Sequence, residues 1–252
     1  MSAAAAQSVV IIGAGAVGSL YGARMHQAGH SVTFIMRSDF EHCRQNGLRL
    51  ISCDGDLTIP AAELKVARSA DGLPPADWII YTLKAYDLKE HAIKLAGSAL
   101  GPQTKVLAIT NGLIDDDLRS IFGCERVFGA VAMVCVSRQS AGVIEHVKHS
   151  KLLIGHLQDA PEALAAAAEL WSGVPGVEIE LTPCLLHSRW QKLLVNASVS
   201  GLTVALGGVS MHLLGLDDDL RALTTCIMQE VSPERSSTCV PQTTSSHAAA
   251  CV

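Results

Sequence analysis

The chain has 252 residues, enough for one large domain or two modest ones, and 49% of them are hydrophobic, ample for a core. Its 19 basic and 24 acidic side chains leave a net charge of -5, which gives no footing for nucleic acid or an anionic membrane surface as partner. No run of about eighteen apolar residues occurs, the N-terminus lacks the basic and apolar regions of a signal peptide, and the eight cysteines are scattered without C-x-x-C pairs. A cytoplasmic protein with reduced thiols is therefore expected.

The first element is an apolar, β-branched run, Val9-Val10-Ile11-Ile12, which reads as a parallel strand buried on both faces. It breaks into Gly13-Ala14-Gly15-Ala16-Val17-Gly18 and continues with helical periodicity to His26. In such a strand–turn–helix, Gly13 permits the sharp exit, Gly15 lets the backbone approach a pyrophosphate, and Gly18 lets helix and strand pack closely. Free N–H groups at the helix start complete an anion site. The context of strand before and helix after makes this a dinucleotide-binding motif rather than a bare glycine pattern.

Gly29 marks the helix stop, and residues 31–36 form a second strand ending in Arg37. Many such folds carry an acid there for the ribose 2′-hydroxyl; an arginine suits a 2′-phosphate, and so NADP. Residues 47–60 alternate around Asp54-Gly55, predicting a hairpin on the sheet margin. Residues 77–83 and 105–110 are further buried strands, which place Lys84 and Asn111 at carboxyl ends, where open parallel sheets hold ligands. Asn111-Gly112 taken alone is an ordinary turn. Two strands at 127–136 and 142–154, a helix at 161–171 and a short strand at 177–181 follow.

Pro183 reads as the domain boundary, beyond which the pattern is all helical. Residues 185–206 form one long helical segment. Lys192, Asn196 and Ser200 share a face of it at i, i+4 and i+8. By itself that stripe fits a polar surface as well as a site.

Taken together, Gly13 to Gly18, Arg37, Leu83-Lys84-Ala85, Asn111-Gly112 and Trp190-Gln191-Lys192-Leu193-Leu194-Val195-Asn196 give the chain a resemblance to ketopantoate reductases, from about Val9 to Val231. The resemblance implies an α/β fold: a Rossmann-type, mostly parallel sheet domain over residues 1–182, then a smaller all-helical domain over 183–231. It implies NADPH-dependent reduction of 2-dehydropantoate, a small 2-keto acid, to pantoate. Gly13, Gly15, Ala16, Val17, Gly18, Arg37, Lys84 and Asn111 would hold NADP, with Lys192 as general acid and Asn111 and Asn196 binding substrate or cofactor. The alternatives are a non-catalytic NADP-binding protein and a reductase of another 2-keto acid. Asp87 stands where relatives commonly carry glutamine, and Ser200 where they often carry asparagine. Exposed apolar helix faces suggest a homodimer.

Residues 232–252 have no helical periodicity and read as a disordered tail. Relatives continue there with a serine and a glutamate that bind substrate, so weak turnover with intact cofactor binding is expected. Cys239, His247 and Cys251 match no standard metal spacing, and no metal is expected.

Overall fold

The computed structural model describes residues 5–231. In chain order the strands are β1 (Ser8–Ile12), β2 (Ser31–Ile35), β3 (Leu48–Ser52), β4 (Leu57–Ile59), β5 (Lys65–Ala67), β6 (Trp78–Tyr81), β7 (Lys105–Ile109), β8 (Val127–Ser140), β9 (Val143–His156) and β10 (Ile179–Leu181). The helices are α1 (Ala16–Gln27), α2 (Phe40–Asn46), α3 (Ala85–Ala96), α4 (Asp115–Phe122), α5 (Leu164–Trp171), α6 (Leu185–Val195), α7 (Gly201–Ala205), α8 (Met211–Leu216) and α9 (Asp218–Val231). The chain divides into two compact units, Met1–Leu185 and Leu186–Val252.

The first unit is built on a sheet of order β4-β3-β9-β8-β7-β6-β1-β2-β5, with β10 added beside β9. Strands β5-β2-β1-β6-β7-β8 are mutually parallel. They reproduce the Rossmann order, in which chain direction across the sheet reverses beside β1. The β8–β9 and β3–β4 pairs are antiparallel. The hairpin expected at 47–60 is β3–β4, and it lies at the sheet edge.

Side chains alternate across this sheet, so the period-2 pattern splits into two cores. Val9, Ile11, Phe34, Trp78, Ile80 and Leu107 pack on one face with Leu20, Tyr21 and Met25 of α1 and Trp171 of α5. Val10, Ile12, Ile35, Ile79, Tyr81 and Val106 pack on the other with Leu88 and Ala92 of α3 and Leu118 of α4. Central strands covered on both faces explain why β1 is uninterruptedly apolar.

The described part of the second unit contains helices and no strand. The expected long helical segment runs from α6 into α7 through a π-helical stretch, Asn196–Ser200, where the Gly201 N–H donates to the Asn196 carbonyl. The tail at 232–252 lies outside the described residues. Cys43, Cys53, Cys135 and Cys226 are free thiols. Among the described residues no helix is long and apolar enough to cross a membrane.

Candidate functional site

A cleft of about 250 Å³ opens at the carboxyl ends of β1, β2 and β6, lined by Gly13, Gly15, Ala16, Arg37, Leu83 and Arg138 among others. Its floor is the turn between β1 and α1. Gly13 has φ +96°, a left-handed backbone, and a Cβ there would stand 2.6 Å from Leu83 Cδ2. At Gly18 a Cβ would meet Thr82 Oγ1 at 2.5 Å and the Gly13 carbonyl oxygen at 2.9 Å. These two glycines are required by the protein's own packing.

Gly15 is different. Its φ of -84° and ψ of -154° are open to any residue, and the nearest atom to an added Cβ is the Gly13 carbonyl oxygen at 3.8 Å. Neither strain nor packing inside the chain accounts for a glycine at this point. The space beside it faces the cleft, where a ligand's backbone-close approach would need it.

The donors match an anion. Gly15 is the N-cap of α1, with no side-chain cap and no acidic residue in the first turn. The first-turn N–H groups have no partner within the helix, and the helix dipole puts its positive end there. Three guanidinium groups stand further along the same cleft: Arg37, Arg68 and Arg138. Arg138 Nη1 donates to Asp39 Oδ1 at 2.5 Å and to Ser38 Oγ at 2.9 Å. Arg68 Nη2 donates to Glu41 Oε1 at 2.9 Å, and Arg68 Cζ lies 4.5 Å from the centre of the Phe40 ring. Those hydrogen bonds, with those from Arg44, hold the Glu41 carboxyl below its ordinary range. Arg37 is the most loosely held, with Nη2 3.9 Å from Asp87 Oδ2 and a side chain 71% exposed.

Not every expected site residue reaches this cleft. Val17 and Gly18, in the first turn of α1, are not among the residues that line it. Exposed Lys84 is the N-cap of α3, and exposed Asn111 follows β7, so both sit at strand ends outside the cleft lining. Lys192 and Asn196 belong to the second unit, half-buried at the end of α6 and the start of the π-helical stretch. Inside that unit the Ser198 hydroxyl donates to the Leu194 carbonyl at 2.6 Å. A π turn holds more residues than an α turn, and single π turns are frequent at functional sites.

Sequence reasoning missed Arg68 and Arg138. Arg68 directly follows β5, the third strand of the Rossmann order, and its place at a carboxyl end was a usable signal. Arg138 comes from the far end of β8, about a hundred residues from Asp39, its partner, and no local pattern marks it.

Comparison with known proteins agrees with this geometry. The chain is 29% identical over 228 residues to a 2-dehydropantoate 2-reductase of Nostoc sp., covering 88% of this chain and 70% of that one. The crystal structure of a 2-dehydropantoate 2-reductase from Geobacter metallireducens GS-15 superposes with a TM-score of 0.83 at 30% identity, over 89% of this chain and 73% of that one. A structure of D-mandelate dehydrogenase with NADH shares the fold at 23% identity, with a TM-score of 0.74 over 89% of this chain and 71% of that one. The model of the family described as "Ketopantoate reductase PanE/ApbA" matches residues 9–159, the stretch that holds every strand and arginine of the cleft. The chain belongs to the ketopantoate reductase family.

Proposed function

We propose that this chain reduces 2-dehydropantoate to pantoate with NADPH. The observation that carries the proposal is the cleft itself. An uncapped helix N-terminus beside a glycine that only a ligand explains opens toward three arginines. The first feature suits a pyrophosphate and the second a further phosphate, which NADPH carries on its 2′ position and NADH lacks.

NADPH, when bound, supplies a hydride to the 2-keto carbon. The residues then have separable tasks. Gly13 and Gly18 fix the turn, Gly15 leaves room for the pyrophosphate, and the first-turn N–H groups of Ala16 and Val17 donate to it. Arg37, with Arg68 and Arg138 nearby, binds the 2′-phosphate, and Lys84 contributes a further cation at the head of α3. As the carbonyl oxygen gains negative charge, Lys192 donates its Nζ proton to it, giving the 2-hydroxy acid. Asn111 and Asn196 hold the keto group and the nicotinamide with neutral hydrogen bonds, keeping the reacting atoms in line.

Asp87 supports a second reading. A carboxylate 3.9 Å from Arg37 competes with a phosphate for that guanidinium and fits use of NADH. The test is a steady-state comparison of NADPH and NADH against 2-dehydropantoate and a panel of other 2-keto acids. The proposal expects the highest kcat/KM with NADPH and 2-dehydropantoate. A preference for another keto acid overturns the substrate, and a preference for NADH overturns the cofactor.

A further inference from the structure

The opposite side of the same sheet brings together side chains that the proposed reaction does not use. Strands β3 and β9 run parallel with Ser52 opposite His146, and the Cys53 N–H donates to the His146 carbonyl at 3.0 Å. The turn leaving β3 is thereby pinned against β9. One ligand atom each from Cys53, Asp54 and His146 lies within 4.8 Å of the other two. Cys53 Sγ is 3.8 Å from His146 Nδ1, and Asp54 Oδ2 is also 3.8 Å from it. Tetrahedral zinc with ordinary bond lengths places sulfur and nitrogen about 3.6 Å apart, and nitrogen and oxygen about 3.4 Å apart. Those two pairs need to close by only a few tenths of an ångström.

His146 is prepared as a ligand. Its Nε2 lies 2.6 Å from the carbonyl oxygen of His149. A carbonyl can only accept, so Nε2 carries the proton, and Nδ1 lies on the side of the ring that meets Ser52, Cys53 and Asp54. His149 is skipped in the β8–β9 ladder and has φ +57°, a bulge that turns its carbonyl back to the ring. The His146 side chain has no exposed surface, so this orientation is fixed. A backbone carbonyl accepting from the far ring nitrogen is the usual device that orients a metal-binding histidine.

The surroundings include one competitor and one opposing charge. Ser52 Oγ accepts from Arg24 Nη2 at 2.8 Å and from the Asp54 N–H at 3.1 Å, so its own proton points to His146 Nδ1 at 2.9 Å. A cation must displace that proton, and a hydroxyl rotor allows it. Buried Arg24 feels Asp54, Cys53 and Asp56 together, so two carboxylates face one guanidinium and negative charge is left over.

We propose that Cys53, Asp54 and His146 form a divalent-metal site suited to Zn²⁺, with water completing the tetrahedron. The mixed sulfur, nitrogen and oxygen set selects against Mg²⁺ and Ca²⁺, which prefer all-oxygen shells. Strands β8, β7 and β6 separate β9 from β1, so the site stands apart from the dinucleotide cleft. Its effect is to staple the β3–β4 hairpin to β9.

The experiment is titration of the chelator-treated full chain with Co²⁺, followed by Zn²⁺. The expected result is one equivalent of Co²⁺ with a thiolate charge-transfer band, bleached by one equivalent of Zn²⁺, and a thermal midpoint raised by Zn²⁺. Cys53 and Asp54 are exposed, so their variants leave the core intact. Cys53→Ser should abolish the band and weaken Zn²⁺ binding by at least about tenfold, the loss that even an outer-shell change brings. Asp54→Asn should keep the band with weaker binding. A parent without the band, a band unchanged in Cys53→Ser, or Zn²⁺ affinity unchanged in Asp54→Asn overturns the assignment.

Discussion

Replacing Asp87 by asparagine separates the cleft's charge balance from the fold's stability, because the two respond with opposite sign. Asp87 Oδ2 lies 3.9 Å from Arg37 Nη2, and the two side chains are 26% and 71% exposed. Two unit charges at this separation attract by about 1 kcal/mol in a water-like medium, and exposed ion pairs measure about 0.2–1 kcal/mol. A 2′-phosphate must win Arg37 from this carboxylate and is also repelled by it. Asp87→Asn should therefore tighten NADPH binding about three- to tenfold. NADH, which has no such phosphate, should change by less than about twofold. Asp87 also sits in the first turn of α3, where a carboxylate favours the helix dipole, and its loss costs about 0.3–1 kcal/mol of stability. The variant should bind NADPH more tightly while melting slightly lower. Fluorescence titration at two salt concentrations checks this, since screening should shrink the gain. An equal gain for NADH, or none for NADPH, refutes the reasoning.

Three other perturbations address separate parts of the structure. Gly15→Ala should cost less than about 1 kcal/mol of stability, mostly through the weaker N-cap, yet abolish measurable NADPH binding. Gly18→Ala, whose Cβ would press on Thr82 Oγ1 and the Gly13 carbonyl, should destabilise by about 1–3 kcal/mol; thermal unfolding and cofactor titration on both variants check the contrast. Lys192→Ala should lower turnover by about 10²–10⁴-fold while NADPH affinity stays near the parent's, and near-parental single-turnover rates would remove Lys192 as the acid. Asp77 accepts from the Ser8 N–H at 2.8 Å and from Ser8 Oγ at 2.7 Å, and these bonds hold its carboxyl below the ordinary range. Because the folded pKa is depressed, the stabilisation is full above the unfolded value, near 3.9, and is lost as pH falls through the folded one. Asp77→Asn should cost about 1 kcal/mol at neutral pH, the site being open to water, and chemical unfolding at neutral and acidic pH should show the difference narrowing in acid.

The parts of the fold that could be read from the sequence are those whose cause is local. Val9 to Ile12 are apolar on both faces because the strand is central, and the turn that follows needs Gly13 and Gly18 for its own packing. The hairpin around Asp54-Gly55 and the marginal position assigned to it followed from alternation and turn chemistry. Features that depend on distant pairing were invisible. Arg138 enters the cleft because β8 runs on to Ser140 and its hairpin turn returns to Asp39, whose Oδ2 accepts from the Gly142 N–H at 3.3 Å. Cys53 and His146 meet only through the parallel β3–β9 pairing, a partnership that no spacing rule reports. The π-helical stretch at Asn196–Ser200 was also hidden, because apolar periodicity does not resolve one extra residue in a turn. Asp87 was singled out through the family resemblance rather than through any local pattern, and the structure sets it 3.9 Å from Arg37 at the head of α3.

The most direct test of the proposed function is stoichiometric. Purified chain is mixed with NADPH and excess 2-dehydropantoate, and both nicotinamide oxidation and the organic product are followed in the same reaction. The account predicts one equivalent of pantoate for each NADPH consumed, with the rate lost in Lys192→Ala and retained in Cys53→Ser. NADPH that binds to the parent chain without being oxidised, or oxidation that yields no pantoate, would contradict it.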